Sequence, residues 1–164
     1  RSIEDFRQCY CGLHADCAAH LDDPSRFQLL TARELYYPTG RFSPWDMDDA
    51  LNAFFSKSQA HGPRNVRGTA EMLWALEAIN GVEDLMAYES RLNYFIPGKP
   101  WISICLYNVS KFPGSFIMNA LQTHPYTISK GVITENPYYV KSDRWLAEHA
   151  PQYLDINAPG GHHV

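Results

Sequence analysis

Apolar residues recur at helical spacing along residues 3–21 (Ile3, Phe6, Cys9 or Tyr10, Leu13, Cys17). This spacing predicts a first helix, weakened at Gly12 and ended by Asp22, Asp23 and Pro24. Residues 26–31, RFQLLT, have the length and side chains of a strand. The stretch FSPWDMDDALNAFFSKSQAHG carries helix start signals: Ser43 as cap, Pro44 at the first helical position and acids in the first turn. That helix is expected to run to about residues 61–62. Residues 64–70 read as a short strand. Residues 71–79 place Met72, Ala75, Leu76 and Ile79 on one helical face, closed by Gly81. A second amphipathic helix over 82–95 offers Leu85, Met86, Tyr88, Leu92 and Phe95 to a core, and Pro97-Gly98 stops it.

The unbroken apolar run WISICLYN predicts a central strand buried on both faces. A helix over 112–121 follows, then extended segments 126–129 and 132–134 joined by Lys130-Gly131, then a last helix over 142–149. Helices alternating with buried strands predict an α/β fold, a three-layer sandwich around a mostly parallel sheet. Residues 1–150 are expected to form one domain and 151–164, ending GGHHV, a C-terminal tail. The chain opens without Met inside what reads as a helix, so elements preceding Arg1 are expected.

Composition narrows the function. The chain has 164 residues, 45% hydrophobic and 13% aromatic, which suits a globular core with rings to spare for a surface or cavity. A net charge of -4 without any Lys/Arg run argues against direct binding to nucleic acid or to an anionic membrane. No apolar run approaches the roughly 20 residues of a membrane span, and RSIEDF is not a signal peptide, so the cytoplasm is the expected compartment.

Candidate chemistry is sparse. Cys9, Cys11, His14 and Cys17 in CYCGLHADC form the densest set of metal-ligating side chains, and a metal or redox sensor is one reading of them. Cys9 and Cys11 point far apart on a regular helix, and small buried side chains near a helix end are the commoner use of such residues. No GxSxG, Walker-type or GxGxxG pattern occurs, so no nucleophile elbow or nucleotide site is visible and a non-enzyme is expected. Arg67, Glu71 and Trp74 share a face if a helix begins early enough, and a surface ion pair beside a core Trp fits the same spacing. Tyr107 and Asn108 end WISICLYN, where open α/β sheets bind ligands, and His124 follows a helix near that end. A lone His is more often structural.

The segments RELYYPTGRFSPWDM, VRGTAEMLWAL, MAYESRLNYF, ICLYN, LQTHPYTI and ENPYY, in that order, resemble the MEDS family, the methanogen/methylotroph sensory domain of DcmR-type regulators. The resemblance covers residues 1–146. It implies a degenerate RecA/KaiC-like fold and a non-catalytic input domain that senses small hydrocarbon-derived or one-carbon-related compounds. It also implies a fused or associated DNA-binding or kinase output domain, with a homodimer possible. Asn108 stands where the family pattern has Asp. The pattern positions nominate Arg67, Glu71, Trp74, Tyr88, Glu89, Tyr107, His124, Asn136, Tyr138 and Tyr139 as ligand-binding, with Cys105 and Asn93 also matching. Polar groups and rings from several strand ends can line one mixed cavity. THPYTISKGVITENPYY then reads as a hairpin packing the sheet edge, with His124 and its tyrosines turned to the pocket. No cofactor is specified, and a non-binding dimerisation module is a further alternative.

Overall fold

The computed structural model describes residues 3–13, 21, 23, 26–60 and 62–154. The chain divides into two compact units, Arg1–Pro38 and Thr39–Val164. In the first, α1 (Ile3–Leu13) occupies the predicted helical stretch as far as it is described. Residues 26–31 are not a strand. The amides of Arg26 and Phe27 both bond to the Asp23 carbonyl, making a turn, and Thr31 is committed to capping α2 (Ala32–Tyr36). Its hydroxyl accepts from the Glu34 amide at 3.2 Å, and the Glu34 carboxylate accepts from the Thr31 amide at 2.8 Å. This reciprocal box outweighs the β preference of the residues before it.

The second unit is mixed α/β, as expected. Its first helix, α3 (Pro44–Gln59), starts as the sequence signals it, with the Ser43 hydroxyl accepting from the Asp46 amide. Next, β1 (Val66–Glu71) pairs in parallel with β2 (Trp101–Leu106), in a register running from Val66 opposite Trp101 to Glu71 opposite Leu106. The helix expected over 71–79 is only a 3-10 turn, Leu73–Leu76. Glu71 Oε1 takes the Leu73 amide at 3.1 Å, and the amides of Ala75 and Glu77 bond three residues back, to Met72 and Trp74. Gly81, at φ +86, then turns the chain beneath the Phe42 carbonyl.

A short 3-10 turn (Val82–Asp84) leads into α4 (Leu85–Phe95), whose residues from Leu85 to Leu92 are all buried. A helix apolar on one stripe only does not bury eight consecutive residues, so its polar members need internal partners. Phe42, Met47, Met72, Leu85 and Leu146 form the least exposed part of the core, and Phe42 packs against Trp74 and Tyr88 at ring separations of 5.5 and 5.9 Å.

Burial of β2 differs from expectation. Trp101 is buried among Phe54, Phe55 and Phe95, whereas Ile102 and Leu106, of opposite parity, are 62% and 47% exposed. The β1–β2 sheet has two strands; Phe54 and Phe55 of α3 and Phe95 of α4 cover Trp101, and Glu89 of α4 meets Cys105, while Ser103 between them on that face is exposed. An unbroken apolar run does not distinguish one covered face from two.

After α5 (Gly114–Thr123), strands β3 (Tyr126–Ser129) and β4 (Val132–Glu135) form an antiparallel hairpin. Lys130 (φ 50) and Gly131 (φ 79) make the mirror-image two-residue turn whose twist suits a hairpin. The hairpin is a separate sheet rather than an edge of β1–β2, with Tyr126, Ile128, Val132 and Ile133 exposed. Finally come α6 (Ser142–His149) and a 3-10 turn, Pro151–Tyr153. Tyr153 packs on Trp45 at 5.5 Å and donates to Asp84 Oδ2 at 2.8 Å, so the expected tail contributes its first turn to the fold.

Candidate functional site

A carboxyl and a guanidino side chain on α4, Glu89 and Arg91, are buried. Arg91 faces α3 and the C-terminal turn. Its guanidinium donates to Asp48 Oδ2 and to the Tyr153 carbonyl and lies 4.1 Å over the Trp45 ring. Every strong group there is matched within the fold, which marks a structural pair.

Glu89, 2% exposed, is different: its partners come from the ends of two other elements. Cys105, the penultimate residue of β2, places Sγ 3.6 and 3.5 Å from the two carboxylate oxygens. Tyr107, just past the carboxyl end of β2, donates its hydroxyl to Oε1 at 3.2 Å. His124 sets Nε2 3.4 Å from Oε2. Period-2 alternation puts Cys105 and Tyr107 on the same side of the strand, and the strand end is where parallel sheets present ligand sites.

The His124 ring is oriented from behind. Its Nδ1 lies 2.7 Å from the Ala120 carbonyl, which can only accept, so Nδ1 carries a proton. Thr123, fully buried, bonds the same carbonyl and Nδ1. His124 caps α5 in an extended conformation (φ -114, ψ 118), the region that the following Pro125 favours. Asn93 fixes that helix end to α4 through a 2.9 Å bond from Nδ2 to the Thr123 carbonyl.

Burial lowers the His124 pKa, but the hydrogen bond and charge of Glu89, helped by the Ala120 carbonyl, outweigh it and leave the imidazole above its ordinary value. Burial foremost, then the Glu89 charge and hydrogen bond, push the Cys105 thiol well above its usual range. Beside these groups stands an aromatic wall: Tyr107 meets Phe112 at 5.4 Å, Phe116 at 6.1 Å and His124 at 6.0 Å, and Phe112 meets Phe116 at 4.7 Å. A buried carboxylate, an imidazole, a thiol and a phenol thus meet beside the rings of Phe112 and Phe116.

The other nominated residues are placed elsewhere or do other work. Arg67 and Glu71 sit exposed on β1, a strand rather than a helix face, and Glu71 bonds the Leu73 amide. Trp74 and Tyr88 pack on Phe42 in the core. Asn136 spends its amide on the carbonyls of Leu121 and His124 and its oxygen on the Tyr138 amide, clamping the hairpin to the end of α5. Tyr138 is 57% exposed and Tyr139 half-buried. Asn108 accepts from Ser110 twice, a turn role at the strand end. In the cysteine-rich segment, Cys9 is an exposed free thiol and Cys11 is disulfide-bonded, while His14 and Cys17 lie outside the described residues. Cys105 is the member of the cluster that an apolar-strand reading leaves aside. Its signal is the i, i+2 relation to Tyr107. A separate shallow pocket of about 560 Å³, lined by Arg41, Ala78, Ile79, Asn80, Gly81 and Glu83, holds none of the nominated residues.

Comparison with known proteins bears on this cluster. A family model described as MEDS, the MEthanogen/methylotroph, DcmR Sensory domain, matches residues 12–125. The matched stretch contains Glu89, Cys105, Tyr107 and His124 and stops before the hairpin. The transcriptional repressor DcmR of Methylorubrum extorquens (strain DSM 6343 / CIP 106787 / DM4) is 30% identical over 95 residues, 57% of this chain and 36% of the repressor. The aligned stretch thus spans about a third of that relative. No solved structure matches.

Proposed function

We propose, from the premise that this chain belongs to the MEDS family of sensory domains, that it is the small-molecule input domain of a transcriptional regulator or histidine kinase. It binds rather than turns over its ligand, a small hydrocarbon-derived or one-carbon-related compound, in the cytoplasm. It passes the binding event to a DNA-binding or kinase module in the same protein or a partner. The observation that carries this reading is the buried Glu89, reached by Cys105, Tyr107 and His124 from two other elements beside the Tyr107–Phe112–Phe116 wall. Buried ionisable groups are costly for a fold and are retained where they serve a site. In this arrangement Glu89 and His124 orient the polar end of the ligand and the rings enclose the rest.

Signalling requires the ligand to favour one conformation, and a coupling of about 1–3 kcal/mol is enough for regulation. Among the described residues, no helix is long and apolar enough to cross a membrane. The test is calorimetry of the purified chain with one- and two-carbon halides, alcohols and aldehydes. Saturable binding is expected, weakened at least tenfold by Tyr107→Ala and by Glu89→Gln and unchanged by Tyr138→Ala. If no compound binds the folded chain, or if affinity ignores Tyr107 and Glu89, the reading fails.

A further inference from the structure

The geometry points to Glu89, Cys105 and His124 as the three protein ligands of a divalent transition-metal ion, zinc fitting best, with a fourth position open toward the sensed compound. This builds on the sensory reading, in which the same cluster floors the ligand site. The donor set of thiolate, imidazole and carboxylate is one that zinc takes, and three protein ligands with one open position is its arrangement wherever it meets a substrate.

Two of the three donor separations are those of a tetrahedron. Metal–ligand bonds of about 2.0–2.3 Å at tetrahedral angles set neighbouring donors about 3.5 Å apart. Cys105 Sγ lies 3.5 Å from Glu89 Oε2, and His124 Nε2 lies 3.4 Å from that same oxygen. All three donor atoms lie within 4.8 Å of one another, so the remaining edge closes with a side-chain shift of at most about 1.3 Å.

Hydrogen-bonded heteroatoms also come this close, and the groups behind the ligands decide between the two. The His124 Nδ1 proton is given to the Ala120 carbonyl at 2.7 Å, which directs the Nε2 lone pair toward the cluster once Nε2 is deprotonated. Tyr107 donates to Glu89 Oε1, leaving Oε2 as the coordinating oxygen. A backbone carbonyl behind the imidazole and a donor on the far carboxylate oxygen are the outer contacts that orient metal ligands. On binding, the Cys105 thiol proton leaves to solvent as the dication enters, and so does the His124 Nε2 proton below the folded pKa of that imidazole. In that range the buried site exchanges two positive charges for two and keeps its net charge.

The test uses the chelator-treated 164-residue chain and Co²⁺ as probe, with Zn²⁺ in competition. One Co²⁺ per chain is expected, with thiolate-to-cobalt charge-transfer absorption that Cys105→Ser abolishes and Zn²⁺ displaces. Tyr107→Phe removes no ligand and should weaken Co²⁺ affinity about 10–100-fold with an unchanged circular dichroism spectrum. This variant keeps the test valid if Cys105→Ser does not fold. A folded chain that takes no Co²⁺ overturns the site. Absorption that survives Cys105→Ser but is lost in Cys9→Ser also overturns it, by assigning the metal to the N-terminal thiols. A chain that binds an organic compound but no cobalt ends the metal inference alone, whereas a metallated chain indifferent to every organic compound upholds it and ends the sensory reading.

Discussion

Replacing His124 by Leu should cost more stability than replacing Glu89 by Gln, although both substitutions cut the same pair. The Glu89 side chain is 1% exposed and that of His124 25%. His124→Leu leaves a buried carboxylate with, among the described residues, the Tyr107 hydroxyl and the Cys105 thiol as its side-chain donors. Breaking a buried pair by removing one partner costs about 3–5 kcal/mol. Glu89→Gln removes the charge together with its desolvation penalty. The amide oxygen still accepts from Tyr107, and His124 keeps the Ala120 carbonyl, so the cost is that of an ordinary hydrogen bond, about 1 kcal/mol. The gap between the variants is therefore about 2 kcal/mol or more at pH 6. Because the folded-state pKa of His124 is raised, its contribution is fully present below about 6.5, the unfolded value, and is lost as pH rises through the folded value. Urea denaturation in chelator-treated buffer from pH 6 to 9 measures both effects. The reasoning is refuted if Glu89→Gln costs as much as His124→Leu, or if the cost of His124→Leu does not shrink with rising pH.

Three further substitutions probe the scaffold. Gly81→Ala places a Cβ 2.1 Å from the Phe42 carbonyl at φ +86 and should lower stability by about 1–3 kcal/mol in urea denaturation, with no loss expected from Gly98→Ala beyond its positive-φ strain. Asn136→Ala removes the side-chain donor to the His124 carbonyl and leaves the Leu121 carbonyl with the His124 amide; hydrogen exchange over residues 126–135 should accelerate, at a cost to stability of about 1–3 kcal/mol. Arg91→Leu strands Asp48 and the Tyr153 carbonyl and should cost about 3–5 kcal/mol, part of which Asp48→Asn in the same chain recovers.

The elements legible in the sequence were those whose signals are local. Ser43-Pro44 caps and starts α3, Lys130-Gly131 makes the hairpin turn, and each follows from a few adjacent residues. Residues 26–31 failed as a strand although the capping box of Thr31 and Glu34 is itself local, and residues 71–79 failed where the chain meets a distant partner. Residues 71–79 have helical spacing, yet the Glu71 carboxylate takes the next free amide and Gly81 must pass beneath Phe42, so only a 3-10 turn forms. The apolar run of β2 says that the strand is half covered at least, and only the positions of α3 and α4 say which half.

The candidate site divides in the same way. Glu89 looks like any carboxylate on a helix, and its neighbours Ser90 and Arg91 give no hint that it is buried. What betrays it is the all-round burial of α4, a property of the packing. His124 was suggested by the helix end and Pro125, and Tyr107 by the strand end, because both are position rules that survive without a partner. Cys105 is marked only by the family pattern, because an apolar strand is the ordinary home of a thiol. Its meaning appears only when the alternation that aligns it with Tyr107 is combined with a carboxylate delivered by another helix. The family pattern marks Glu89, Cys105, Tyr107 and His124 one at a time, and that three elements bring them together follows only when each residue is asked which face it shares, and with whom.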